Sequence, residues 1–203
     1  MSKTNTGLVE YAKAQVGRPY WYGTFGRLGT KDHYNEKKKA YPSQYNWDYD
    51  PKEATQKVHD CTGLVEGYLF FDSPDGTVYK YNGNQDRSAN GTRSACKEKG
   101  IISTMPDLPG VIVFKDGHMG VYIGNGEVID ARGRAWGVVR GKLSDVAWTH
   151  WGKHPDITYE EPKPVTTTPS ASEKAMKTAI KEFASAVETV TKKYKSLIGL
   201  LED

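Results

Sequence analysis

The chain has 203 residues, 26% charged and 37% hydrophobic, with a formal net charge of +3. That is room for one domain, or one domain with an appendage, in an ordinary soluble composition. The small charge, with no basic block interleaved with aromatics, argues against nucleic acid as a partner, and no apolar run reaches the 18 or more residues of a membrane span.

Residues 6–16 predict a first helix, capped by Asn5 or Thr6, with Leu8, Val9, Ala12 and Val16 on one face and Gly17 as its stop. Pro19 to Gly23 follows as a short extended piece. Residues 24–58 are rich in Gly, Lys, Tyr, Asp and Asn and hold no period, so they predict a long surface insertion with at most short helices. It is either one wall of a substrate groove or a variable decoration. His59 to Gly63 opens a second helix, running to about Phe71, and Ser73-Pro74-Asp75-Gly76 makes a turn. Residues 85–99 predict a further helix that buries Cys96.

From Gly110 the period becomes that of strands. Val111 to Phe114 and His118 to Ile123 are two strands, and Gly124-Asn125-Gly126 is a hairpin turn. Glu127 to Ala131 then pairs back, and Val138 to Arg140 adds a short strand. Helices followed by antiparallel strands define an α+β class over residues 1–159. Residues 160–171 are a Pro/Thr/Ser linker. Residues 172–203 form a separate C-terminal helix, whose Met176, Ile180, Phe183, Val187, Val190, Tyr194, Leu197 and Leu201 repeat at alternating steps of four and three. That heptad seam, flanked by Ala179, Ala184 and Ala186, predicts a homo-oligomer through the helix, against the alternative that it folds back onto the first domain.

The chemistry-bearing residues lie at the helix–strand transition. The two cysteines, Cys61 and Cys96, offer no disulfide framework and no CxxC zinc pair, and two free thiols are preferred to one disulfide. Cys61 sits at the start of a helix, where free N–H groups and the dipole favour a thiolate; a small apolar residue at a helix start would look the same. Gly63 keeps the turn tight and lets a substrate approach. His118 opens a strand after a glycine turn, within reach of a thiol if the helix packs across the sheet. A tight hairpin at residues 124–126 sets Asp130 opposite His118, and their even separation puts both side chains on one face. A carboxylate there fixes the imidazole tautomer. Of five tryptophans and thirteen tyrosines most are core or surface aromatics. Arg132, Trp136, Trp148, His150 and Trp151 line up as second-rank groove residues, Arg132 as a partner for a substrate carboxylate. His33 and His59 are expected at the surface. His150 and His154 are rejected as a zinc pair because Pro155 and the aromatic neighbours oppose a helix there, so no metal and no cofactor is expected.

Asp60-Cys61-Thr62-Gly63-Leu64-Val65 resembles the nucleophile motif of NlpC/P60 cell-wall peptidases, and His118-Met119-Gly120-Val121-Tyr122-Ile123-Gly124-Asn125-Gly126 resembles that family's histidine strand and hairpin. Gly17-Arg18-Pro19-Tyr20-Trp21-Tyr22-Gly23 is similar to its upstream tyrosine element, and Leu108 to Phe114 to the strand before the histidine. The four occur in order across about residues 6–155. The resemblance implies a papain-like fold, with N-terminal helices packed on an antiparallel sheet, and cleavage of peptidoglycan stem peptides, usually between γ-D-Glu and the diamino acid. It implies Cys61 as nucleophile, His118 as base and Asp130 in the third catalytic position. Tyr20 would help the oxyanion, and Asp60 and Thr62 would contact the L-Ala-γ-D-Glu part of the substrate. Three features depart from the family pattern: Thr62 replaces a commoner serine, Asp130 a commoner histidine, and the 24–58 insertion separates Tyr20 from Cys61.

MSKTNTGLVEYAKAQVG lacks an apolar signal-peptide core. With a wall-hydrolase domain, this looks like a phage endolysin made in the host cytoplasm and acting on the wall after release; a prophage or toxin-like protein is the alternative. The rival functions are an N-acetylmuramoyl-L-alanine amidase on the same polymer, a non-catalytic wall-binding or assembly module, and an acyltransferase on the same fold.

Overall fold

A computed structural model describes residues 2–160 and 171–199, the side chains of the last helix at 176 and 178–194. The chain divides into two units, Met1–Glu161 and Pro162–Asp203.

Helix α1 (Asn5–Gln15) is capped by Thr4, whose hydroxyl accepts the Gly7 N–H at 3.1 Å. Neither Asn5 nor Thr6 is the cap. Asn5 is buried instead and bonds Pro109 and both backbone groups of Glu160, which closes the first unit on itself. The face carrying Leu8, Val9, Tyr11 and Ala12 is fully enclosed, each large apolar side chain contributing about 1.5–3 kcal/mol by leaving water.

The 24–58 segment differs from its expected loop character. It folds into β1 (Phe25–Leu28), α2 (Lys31–Ala40) and β2 (Lys57–His59), with β1 and β2 antiparallel. Trp21 is the centre of its private core, ringed by Tyr34, Tyr45, Trp47 and Tyr49 at 5.7–6.4 Å between centroids. The Trp21 indole donates to Glu53 at 2.7 Å, and Arg134 clamps the same carboxylate with bonds of 2.7 and 2.9 Å while lying over the Trp47 ring. Aromatic edges around one indole, together with a part-buried ion pair, need no helical or strand period, so the sequence shows none. The expected surface placement of His33 and His59 is wrong for the same reason. His33 packs on Trp21 at 5.6 Å, and His59 meets the Tyr11 hydroxyl at 3.2 Å; both are buried, and desolvation drives His59 down to about 3.

Helix α3 (Gly63–Phe70) is followed by α4 (Ala89–Ala95), shorter than the predicted 85–99 because Lys99 onward enters a strand. Cys96 is buried beside α4 and its thiol meets the Thr92 carbonyl. The strands are β3 (Lys99–Ile101), β4 (Ile112–Lys115), β5 (His118–Gly124), β6 (Glu127–Gly133), β7 (Gly137–Lys142) and β8 (His150–Gly152). They form one antiparallel sheet in the order β3-β8-β4-β5-β6-β7. β3 and β8 are too short to show a period of their own. One sheet face joins α1 and α3 in the main core through Met119, Val121, Ile129 and Ala131. Tyr122, Val128 and Val113 pack with Trp148 in a smaller cluster. The architecture is α+β, as the order of elements predicts.

In the second unit, α5 (Ala171–Gly199) leaves Met176, Ile180, Phe183, Val187, Val190 and Tyr194 exposed. Leu197, Leu201 and most of the expected linker lie outside the described side chains. No described helix is long and apolar enough to cross a membrane.

Candidate active site

The segment carrying Cys61 is a turn tied down by Asp60. One Asp60 oxygen accepts the Gly63 N–H at 2.7 Å and the Thr62 hydroxyl at 3.0 Å; the other accepts the Gly23 N–H at 2.8 Å. The carboxylate thus caps α3 and joins it to the Tyr20–Gly23 segment. Gly63 has no room for a side chain: a Cβ there would lie 1.7 Å from the Thr24 carbonyl oxygen. Its glycine serves backbone contact with Thr24, not the substrate approach inferred from sequence.

Cys61 stands just before α3, and its thiol is a free one. Desolvation, then the nearby Asp60 carboxylate, pushes the thiol up to about 12; the N–H groups of Met119, Thr62 and Cys61 itself pull it down by less. Burial thus opposes the depression expected at a helix start and favours the thiol form.

His118 and Asp130 come together, with a register different from the simple hairpin. Gly124 pairs with Glu127 around Asn125 and Gly126, both at positive φ (54° and 72°) as a two-residue primed turn requires. The register then shifts, so that Tyr122 meets Val128 and Val121 meets Ile129. Continued, it sets Asp130 opposite Gly120, and His118 reaches it diagonally along the same face. A Cβ at Gly120 would fall 3.1 Å from the Asp130 Cβ and 3.2 Å from the Trp148 ring, so glycine makes space for both. His118 Nε2 meets Asp130 Oδ2 at 2.9 Å, which leaves Nδ1 as the ring nitrogen free to accept a proton. Trp148 stacks on the imidazole, 5.4 Å between centroids at 12°. Asp130 has no exposed surface. Burial raises its carboxyl, but hydrogen bonds from His118 and Arg132 outweigh that and hold it below the usual range.

Tyr20, Asp60, Cys61, Thr62, His118 and Arg132 all line one cavity of about 360 Å³, with Tyr22 and Tyr41 from the aromatic segment on its wall. Burial, then Asp60 and Cys61, raise the Tyr20 phenol, so it stays a hydroxyl donor. The guanidinium of Arg132 is turned to Asp130, with Nη2 to Oδ1 at 2.9 Å and Nε to Oδ2 at 3.3 Å. Trp136 is exposed; His150 and Trp151 lie on β8, the latter bonded to Thr104. A second cavity of about 430 Å³ shares Gly23, Tyr41, Asp60, Thr62 and Asp86 with the first and extends it toward Arg27 and Glu66.

Sequence reasoning missed Glu66. It is only 6% exposed, and one oxygen accepts the Arg87 N–H at 3.1 Å. Desolvation, then Asp60 and Asp86, raise its carboxyl from 4.5 to about 8. A folded value above the unfolded one adds stability that is complete below about pH 4.5 and lost as pH rises through about 8. Glu66→Gln keeps an acceptor for Arg87 without the charge. Its thermal unfolding is expected to match wild type at pH 4 and to be more stable at pH 8, by on the order of a few kcal/mol. A gap that does not change between those pH values would refute the assignment.

Neither a protein-family model nor a curated protein sequence matches the chain. Among solved structures, it is similar to the peptidoglycan hydrolase RipB from Mycobacterium tuberculosis, with 19% identity, 76% of this chain and 67% of that one covered, and a TM-score of 0.43. It is similar to a P60 domain of an antigen from M. avium subspecies paratuberculosis at 20% identity, covering 76% of this chain and 98% of the other, with a TM-score of 0.43. NlpC2 from Trichomonas vaginalis is 15% identical with a TM-score of 0.44, and 74% of this chain spans 46% of that protein. The chain is thus similar, over about three quarters of its length, to solved structures described as NlpC, P60 and peptidoglycan-hydrolase proteins.

Proposed function

We propose that the chain is a cysteine peptidase that hydrolyses an amide bond in the stem peptide of peptidoglycan. The observation that carries this is the His118–Asp130 bond of 2.9 Å, with His118 lining the same cavity as the Cys61 thiol. His118 Nδ1 accepts the thiol proton as sulfur attacks the carbonyl carbon. The Cys61 N–H and the Tyr20 hydroxyl hold the resulting oxyanion. His118 returns the proton to the leaving amine, and water, deprotonated by the same nitrogen, hydrolyses the thioester and regenerates the thiol. Burial favours the thiol form of Cys61, and proton transfer to His118 generates the nucleophile. No step draws on a metal or cofactor.

The bond we favour is that between γ-D-Glu and the diamino acid, in a lytic role of endolysin type. Purified walls of several chemistries, digested and analysed by mass spectrometry, test both. New amino groups on the diamino acid support the reading. New amino groups on L-alanine identify an amidase, and no soluble fragment from any wall leaves a binding module.

We further propose that α5 joins copies of the chain. Six side chains at heptad spacing are exposed along it, Phe183 at 73%, with alanines beside the seam as a close-packed bundle needs. Light scattering of the full-length protein should give a multimer, reduced to a monomer by Phe183→Glu with Val190→Glu. A wild-type monomer would refute this.

A further inference from the structure

Arg132 lies two residues beyond Asp130 on β6, at an irregularity in the pairing with β7, and its guanidinium turns back onto Asp130. Its two donors take both oxygens of a carboxylate that has no exposed surface. Oδ2 is shared with His118, while Oδ1 takes its hydrogen bond from Arg132. The torsion that turns a carboxylate about its Cβ–Cγ bond is soft, and one imidazole contact at Oδ2 leaves that plane free to rock. A second, forked donor on the far side fixes it. Trp148 restrains the imidazole over its face, Asp130 restrains it in its plane, and Arg132 restrains Asp130.

We infer that Arg132 is a positioning residue of the catalytic group, holding Asp130 in plane against His118, and that it does not serve as a substrate contact. The inference rests on Cys61 and His118 being the reacting pair. The guanidinium also shares the carboxylate's charge. The charged and titratable groups around this point are His118 on β5, Asp130 and Arg132 on β6, Asp145 after β7, which adds negative charge beside Arg132, and Cys61 with Asp60 across the cavity. Removing the guanidinium leaves Asp130 with its full charge directed at the imidazole. The imidazolium is then favoured, and the proton it must return to the leaving amine is held more tightly.

The test uses full-length wild type, Arg132→Met and Arg132→Lys, with circular dichroism as the fold control. Two readouts are taken: NMR titration of the His118 imidazole, which needs no substrate, and kcat and KM on solubilised wall fragments. For Arg132→Met the titration midpoint is expected to move up by about half a pH unit or more, and kcat to fall by about tenfold or more with KM changed by less than about twofold. Arg132→Lys keeps the charge and loses the fork, so its midpoint should stay near wild type while kcat falls. If Arg132→Met does not fold, the lysine variant carries the test through that split. An unmoved midpoint in Arg132→Met, or a KM rise at constant kcat in either variant, overturns the inference and returns Arg132 to the substrate. If wild type cleaves no wall fragment, the proposed function fails, and the titration still decides whether Arg132 tunes His118.

Discussion

Cys61→Ala is expected to leave the turbidity of purified walls unchanged under conditions where wild type clears them, a loss in kcat of about 10⁴-fold or more. The substitution removes the only side-chain atom in the proposed scheme that bonds to the acyl carbon, and no other thiol can replace it. Cys96 is buried behind Gly152, where even a Cβ would lie 2.9 Å from its sulfur, and burial holds its thiol up at about 11. The fold should survive. Cys61 is only half-buried, and the turn that carries it is held by Asp60 through backbone groups that alanine retains. Thermal unfolding within about 1 kcal/mol of wild type, beside absent lysis, is the expected pair of results. Lysis at the wild-type rate would remove Cys61 from the chemistry.

Asp130→Asn should lower kcat by about 10²- to 10⁴-fold, for a reason specific to this site. Asparagine has one acceptor oxygen, and the Arg132 fork, which only donates, will claim it. The amide NH₂ is then turned toward His118 Nε2, which must become an acceptor. The ring proton moves to Nδ1, the nitrogen that must take the Cys61 proton, and the base is lost. Nitrogen-resolved NMR of His118 should show the proton on Nδ1 in the variant and on Nε2 in wild type. Removing Arg132 as well frees the amide to flip, so the double variant should be less impaired than the product of the two single losses. A kcat within about threefold of wild type for Asp130→Asn would separate Asp130 from catalysis.

The parts of this protein legible from residues alone are those set by neighbours in the chain. The helix near residues 6–16, the turn after Phe71, the Asn125-Gly126 hairpin and the strands between Ile112 and Lys142 follow from spacing and turn chemistry within about ten residues. The parity that puts His118 and Asp130 on one face survives because the observed register differs from the expected one by two residues, so the two become diagonal neighbours on that face. What tertiary structure alone decided is long-range. The aromatic core around Trp21 draws on residues spread from 21 to 58. Strands β3 and β8 exist because they pair with each other and β8 with β4, across some fifty residues. His33 and His59 are buried by rings distant in sequence, and Glu66 by the enclosure of α3. The upward push on the Cys61 thiol comes from desolvation, which a helix-start position cannot reveal, and Arg132 turns to Asp130, a fully buried carboxylate that takes a second donor. Local pattern singled out Cys61, His118 and Asp130 as candidates; burial, which depends on the whole chain, decided the partners that hold them.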